Sequence, residues 1–369
     1  MIQSRVLLIY IEPTPYVLDL IDAIEKIWQG QVDVLFLETN TSQSWNLSIN
    51  AENVSVLSKS GNKEIKQKIT DGNYQMIHLA GWGHKYLMYA MVYAWWLRIP
   101  ISIESDTPLP VGLSFSKRLL KRIILPWVFK LPSVFLPGGK RQAEFFRYYG
   151  VKESKITLAQ MTVDISKIQR YQRALSENGR NDAKLQLLGQ SDAFCFLYVG
   201  RMEPHKSIQQ LITSFKQILT KFPQAKLLLV GDGSLNKEVQ SEAAKERNIC
   251  YAGRLSGDQL LNAYCIANVF VLPSIFEPWG LVINEAMAAG LPVIASNRAG
   301  CIDDLVEHEE TGLIIDPENP EELKTQMEAI VGNEEKVRDM GQASLEKIAM
   351  WTKTNEANNI VNAWLRVLD

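Results

Sequence analysis

The chain is poor in cysteine, in charge bias and in long apolar runs. Its four cysteines, Cys195, Cys250, Cys265 and Cys301, are scattered and lie mostly inside apolar stretches, with no C-x-x-C spacing. That argues against zinc and disulfide frameworks and points to structural thiols in a reducing compartment. A formal net charge of -2 gives no support for a general nucleic-acid binder. No apolar run approaches the roughly 20 residues of a membrane-spanning helix. The start of the chain passes directly into Arg5-Val6-Leu7-Leu8-Ile9-Tyr10-Ile11, which is short and lacks a cleavage site. It reads as a first strand rather than a signal peptide. The expectation is a cytoplasmic protein, with a peripheral position on the inner membrane face left open. No near-identical internal repeat is present.

What is present is alternation. At 369 residues the chain exceeds the usual single-domain size, so two domains are expected. Apolar runs at Val6–Ile11, Val32–Leu37, Val54–Leu57, Met76–Ala80, Ile101–Ile103 and Val134–Leu136 read as strands. Helical patterns such as Val17–Trp28 and Lys85–Leu97 separate them. The second half restarts the same scheme at Phe194–Val199, Lys226–Val230, Ile249–Tyr251, Val269–Leu272, Pro292–Ala295 and Leu313–Ile315. Strands alternating with helices define doubly wound parallel sheets. The polar stretch 169–192 reads as a linker. It divides an N-terminal domain, 1–168, from a C-terminal one, 193–350, with a last helix within 351–369.

The most informative stretch is Phe276-Glu277-Pro278-Trp279-Gly280-Leu281-Val282-Ile283-Asn284-Glu285-Ala286. The buried-strand run Val269–Leu272 precedes it, and helical spacing follows. Pro278 suits the first turn of that helix. Glu277 then sits on a loop at the carboxyl end of a strand, where open α/β sheets bind ligands, and Glu285 sits on the helix. Free N–H groups near Gly280 and Leu281 would attract a phosphate. Two carboxylates eight positions apart are more often solvated helix and loop residues, so spacing alone does not make a site.

The run Glu277 to Glu285 resembles the E-x7-E signature of the retaining GT-B glycosyltransferases, specifically glycosyltransferase family 4 (glycosyl transferases group 1). The resemblance covers about Phe196 to Asp316 well and the first half loosely. It implies two Rossmann-like domains facing a hinged cleft. The last helix would cross back onto the first domain. It also implies a nucleotide-sugar donor and no metal or other cofactor; the chain contains no Asp-x-Asp. Gly200-Arg201-Met202-Glu203-Pro204-His205-Lys206 is similar to the family's G-R-x-x-x-x-K segment. The resemblance assigns Arg201 and Lys206 to the leaving diphosphate and Glu277 to the sugar hydroxyls. Glu285 would take the ribose, and Gly200, Gly280 and Leu281 the phosphate region. Arg254 and Leu255 would lie near the base. Without it, Arg201 and Lys206 would read as surface salt-bridge formers.

The first half leaves alternatives open. Family members often carry a Gly-Gly pair where this chain has Glu12-Pro13-Thr14-Pro15-Tyr16, which either shapes the acceptor side or is a rigid turn. His78 reads as a satisfied core histidine. Trp82 and His84 either meet a sugar or pack a loop. Glu104 and Asp106 either meet substrate hydroxyls or, for Asp106, cap a turn. Basic and apolar residues alternate over 116–130, as in a helix lying on anionic lipid or in an ordinary amphipathic helix packed on the sheet. The expected function is transfer of a sugar from a UDP- or GDP-sugar to a glycan or lipid-linked acceptor in surface-polysaccharide or glycolipid synthesis. The alternatives are a nucleotide-sugar epimerase or hydrolase on the same fold and a noncatalytic GT-B partner subunit.

Overall fold

The computed structural model describes residues 4–39, 53–109, 112 and 114–369. The chain divides into two compact units, Met1–Thr162 with Lys353–Asp369, and Val163–Thr352. The first contains β1 (Ser4–Tyr10), α1 (Pro15–Ile27), β2 (Gly30–Phe36), β3 (Val54–Val56), α2 (Asn62–Asp71), β4 (Met76–Leu79), α3 (Lys85–Trp96), β5 (Ile101–Ser105), α4 (Phe115–Val128), β6 (Val134–Pro137) and α5 (Lys140–Tyr148). The second contains α6 (Ile165–Ala174), α7 (Glu177–Leu188), β7 (Cys195–Val199), α8 (Ile208–Ile218), β8 (Lys226–Val230), α9 (Asn236–Lys245), β9 (Ile249–Gly253), α10 (Gly257–Ile266), β10 (Val269–Leu272), α11 (Leu281–Ala288), β11 (Val293–Ser296), α12 (Ile302–Leu305), β12 (Gly312–Ile315), α13 (Pro320–Ile330) and α14 (Glu334–Ile348). The last helix, α15 (Lys353–Leu368), is counted with the first unit.

Each unit holds a six-stranded parallel sheet, ordered β3-β2-β1-β4-β5-β6 and β12-β11-β10-β7-β8-β9. Renumbered from its own first strand, the second sheet has the same order as the first. The expected pair of Rossmann-like sheets is therefore present. The direction in which strands are added reverses between β1 and β4 in one sheet and between β7 and β10 in the other. Those reversals are the topological switch points, where the loops after neighbouring strands leave a crevice.

In the first unit the two sheet faces carry separate cores. Helices α2 to α5 cover one, with Leu87, Met91, Leu125 and Phe146 buried against the strands. Helices α1 and α15 cover the other. Helix α15 is fixed there by Trp364, whose ring lies 5.9 Å from that of Trp28 and whose indole N–H donates to Ser102 Oγ at 2.8 Å.

The polar stretch expected as a linker is folded instead. Helices α6 and α7 occupy most of 169–192 and belong to the second unit. Their polar side chains serve as docking contacts. Arg180 donates to the carbonyls of Cys265 and Gln172 at 2.6 and 2.9 Å, Gln172 to that of Ala289 at 2.6 Å, and Tyr171 to Asn262 at 2.8 Å. Among the described residues no helix is long and apolar enough to cross a membrane.

Candidate active site

The second unit's switch point collects the loops after β7 and β10. Strand β10 is entirely buried and ends at Leu272, just before Pro273. The following loop is stitched to the one after β11: Gly300 N–H donates to the Glu277 carbonyl at 2.9 Å and Cys301 N–H to that of Trp279 at 3.0 Å. Glu277 is thus fixed by backbone pairing, which makes Gly300 part of its support. Gly280 follows at φ +101, which suits glycine, and α11 starts at Leu281. Pro278 lies before the helix, not in its first turn. It precedes a glycine whose backbone is not helical. Trp279 is buried and donates its indole N–H to Asn284 at 3.1 Å, pinning the loop to the helix. The first N–H groups of α11 have no partner within the helix and open towards this loop.

The loop after β7 supplies the cation. A single 3-10 turn, Pro204–Lys206, is closed by Lys206 N–H to Glu203 O at 2.9 Å. The loop after β10 is tied to it through Ile275 N–H and His205 O at 2.9 Å. Lys206 and Glu277 are 7% and 8% exposed, and the Lys206 ammonium donates to the Glu277 carboxylate. Two residues 71 positions apart thus meet as a buried ion pair. The hydroxyls of Ser207, next to Lys206, and Ser274, three residues before Glu277, are buried with no hydrogen-bond partner among the described residues. Arg201 is exposed next to this turn, with its carbonyl accepting from Tyr198 at 2.9 Å. Burial, then the Lys206 and Arg201 charges, lower the His205 imidazole below its ordinary value.

Glu285 projects from α11 and accepts from the Tyr264 hydroxyl at 2.5 Å. Burial raises its carboxyl above the ordinary value, and Tyr264 opposes the rise. Nothing in the sequence marked Tyr264, which is 21 positions away on α10. Gly200 follows β7, Gly280 lies against the Glu277 side chain, and Leu281 comes next at the start of α11. Arg254 and Leu255 follow β9, two strands over from β7. A groove of about 810 Å³ between α8 and α9 is lined by none of these residues.

The first unit has a pocket of about 560 Å³ at its own switch point, over the ends of β1, β4 and β5. Trp82, Glu104 and Asp106 line it, with Glu12, Thr14 and Tyr16 of the proline-bearing loop. Trp82 also packs against Phe129, Phe145 and Phe146, at 5.1 to 5.4 Å between ring centres, so it both walls the pocket and fills core. His84 does not line the pocket. It caps α3, its ring nitrogen accepting from Tyr86 N–H at 3.3 Å. His78 is the satisfied core histidine: its ring meets Ser102 at 2.9 Å and Glu104 at 3.2 Å. Tyr10 donates to Glu104 at 3.1 Å. Burial acts to raise the Glu104 carboxyl, but the His78 hydrogen bond and charge, Lys353 and Tyr10 outweigh it and leave it lowered.

Behind this pocket Glu356 is 1% exposed and accepts from Lys353 at 2.8 Å. Burial pushes its carboxyl up to about 7; Lys353 opposes the rise, Glu104 adds to it, and a Thr162 backbone hydrogen bond opposes it. The folded value lies above the ordinary 4.5, so the folded chain keeps a proton that the unfolded chain releases. The associated stability is full below 4.5 and is lost as pH rises to 7. The loss is on the order of 3 kcal/mol. Glu104 has the opposite sign, since its lowered carboxyl stabilises above its ordinary range and loses that contribution in acid. Glu356→Gln should flatten the alkaline slope. Thermal midpoints of variant and wild type should diverge in the variant's favour between about pH 5 and pH 8. Parallel slopes would contradict this assignment.

Residues 180–347 match the family model described as Glycosyl transferases group 1. Over 162 residues, 43% of this chain, the sequence is 32% identical to sulfoquinovosyl transferase SQD2 of Arabidopsis thaliana, covering 31% of that protein. Over 137 residues it is 34% identical to an uncharacterized glycosyltransferase of Methanocaldococcus jannaschii, covering 36% of this chain and 35% of the other. The chain thus spans only 31% and 35% of the lengths of these curated relatives. The crystal structure of Anabaena HepE in complex with UDP and glucose superposes with a TM-score of 0.79 at 18% identity, over 97% of this chain and 98% of that one. The fold is that of the GT-B glycosyltransferases. The matched residues, 180–347, lie within the second unit.

Proposed function

We propose that this protein is a retaining glycosyltransferase that uses a UDP- or GDP-sugar and needs no metal. The observation that carries the reading is the buried Lys206–Glu277 pair at the second switch point, beside the start of α11. An ammonium has three donors, so Lys206 can hold Glu277 and still face a diphosphate. With Arg201 it stabilises the charge that grows on the leaving group. The N–H groups of Gly280 and Leu281 take the phosphate, and Glu285 accepts from a ribose cis-diol. Glu277 receives the sugar hydroxyls, and the base lies by Arg254 and Leu255. The unpaired Ser207 and Ser274 hydroxyls support a polar ligand here, because buried polar groups ordinarily have partners.

In this reading the first unit's pocket holds the acceptor, a glycan or lipid-linked sugar, with Glu104 and Asp106 orienting its hydroxyls. The bond from the anomeric carbon to the phosphate oxygen breaks while the bond to the acceptor oxygen forms on the same face. The departing phosphate oxygen takes the acceptor's proton, so no enzyme nucleophile is needed. The setting that fits is surface-polysaccharide or glycolipid synthesis in the cytoplasm.

Thermal shift with UDP-, GDP-, ADP- and TDP-sugars tests the donor. Selective binding to the folded state raises the midpoint by mass action, by about 2.7 kcal/mol of stability at a hundredfold excess over Kd. A flat response to every nucleotide sugar would favour a noncatalytic subunit. Rapid stoichiometric conversion of donor without acceptor would favour an epimerase or hydrolase. Transfer that stops with EDTA and returns with a divalent ion would overturn metal independence.

A further inference from the structure

Helix α4 is turned the wrong way for an ordinary amphipathic helix. Its one buried side chain is Leu125. Phe115, Leu119, Leu120, Ile123, Ile124 and Trp127 are all exposed, from 47% for Ile124 to 81% for Phe115. At 3.6 residues per turn these six fall on one continuous stripe, about half the circumference, on the side away from Leu125. Lys117 and Arg122 flank the stripe, and Arg118 and Lys121 lie behind it. The neighbouring α3 contributes Trp95 and Trp96, 54% and 68% exposed. Helices α3 and α4 each lead into the next parallel strand, so their carboxyl ends share one edge of the sheet. That edge carries Trp95, Trp96, Arg98, Trp127 and Lys130, with the Lys130 ammonium 3.7 Å from the Trp127 ring centre.

We propose that this face of the first unit docks on an anionic lipid bilayer, with α4 lying in the headgroup layer. Charge decides the occupant. The sequence contains no Asp or Glu between Asp71 and Glu104, or between Asp106 and Glu144. An α3–α4 surface that carries Lys117, Arg118, Arg122 and Lys130 and no acidic residue of its own repels its own copy and complements an anionic surface. An apolar stripe bordered by Lys and Arg, with tryptophan at one end, matches interfacial rather than spanning helices. Lys121 and Leu125 of the same helix line the 560 Å³ pocket. Both are on the side of α4 turned away from the stripe, so the helix itself stands between the bilayer and that pocket.

Flotation of the full chain with phosphatidylcholine vesicles, with and without phosphatidylglycerol, tests this. The protein should float only with the anionic vesicles and be released by salt. The exposed triple variant Lys117→Glu, Arg118→Glu, Arg122→Glu should lower partitioning on the order of 100-fold or more. Leu120→Ser with Ile123→Ser should weaken partitioning while keeping its salt dependence. Both variants should retain the wild-type circular dichroism spectrum and a cooperative thermal transition, which shows that they fold. Three results would overturn the proposal: no flotation of wild type, equal binding to neutral vesicles, or a wild-type dimer that the triple variant dissolves. Flotation without any donor shift would leave this proposal standing and count only against the transferase reading.

Discussion

Replacing Lys206 by alanine should lower sugar transfer by about 100- to 1,000-fold, the loss expected when one donor aimed at developing transition-state charge is removed. It should also destabilise the fold by about 3–5 kcal/mol, because it strands a buried carboxylate. The two losses have separate causes, and a cycle separates them. Lys206 and Glu277 are both nearly inaccessible and directly bonded, so either single change leaves an uncompensated partner. Lys206→Met combined with Glu277→Gln removes both charges and keeps the volume. That double variant should regain most of the stability and none of the transfer. Equilibrium urea unfolding and a transfer assay give the two readouts. Transfer by Lys206→Ala within tenfold of wild type would remove Lys206 from the leaving-group role. A double variant as unstable as the singles would show that the pair is not the stabilising unit.

The strands could be read in advance because parallel strands buried on both faces must be nearly continuous apolar runs, such as Val269–Leu272 and Lys226–Val230. Their order made the switch points, so the positions of Glu277 and Lys206 at strand ends followed from local sequence. Their meeting did not. Nothing local links positions 206 and 277, and only the resemblance joined them. Tyr264 escaped because its role depends on a hydrogen bond between α10 and α11. The 169–192 stretch misled because polarity was read as solvation, whereas Arg180 and Gln172 spend theirs on carbonyls of the unit they dock against. His84 carried the right chemistry for a site but used it to cap a helix. In α4 the periodicity told that the helix was two-sided and said nothing about which side would face the core.

Gly231→Ala should destabilise the second unit by more than ~3 kcal/mol and abolish donor-induced stabilisation in whatever folds. The residue stands at φ +141, and a Cβ there would come within 1.8 Å of the Gly200 carbonyl oxygen. Neither side has room to give. Gly200 N–H is held by Val230 O at 3.0 Å, Gly231 N–H by Gly253 O at 2.8 Å, and Met202 N–H by Asp232 O at 2.9 Å. The turn after β8 is therefore laid against the turn that presents Arg201 and, five residues on, Lys206. Moving it moves the cations. Gly189→Ala provides the control for backbone strain alone, since Gly189 sits at φ +75 with nothing within 4 Å of its missing Cβ. That variant should cost about 1–2 kcal/mol and bind donor normally. If the two alanine variants lose the same stability, contact with Gly200 contributes nothing. If Gly231→Ala keeps its response to nucleotide sugars, the turn after β8 does not position the phosphate cations.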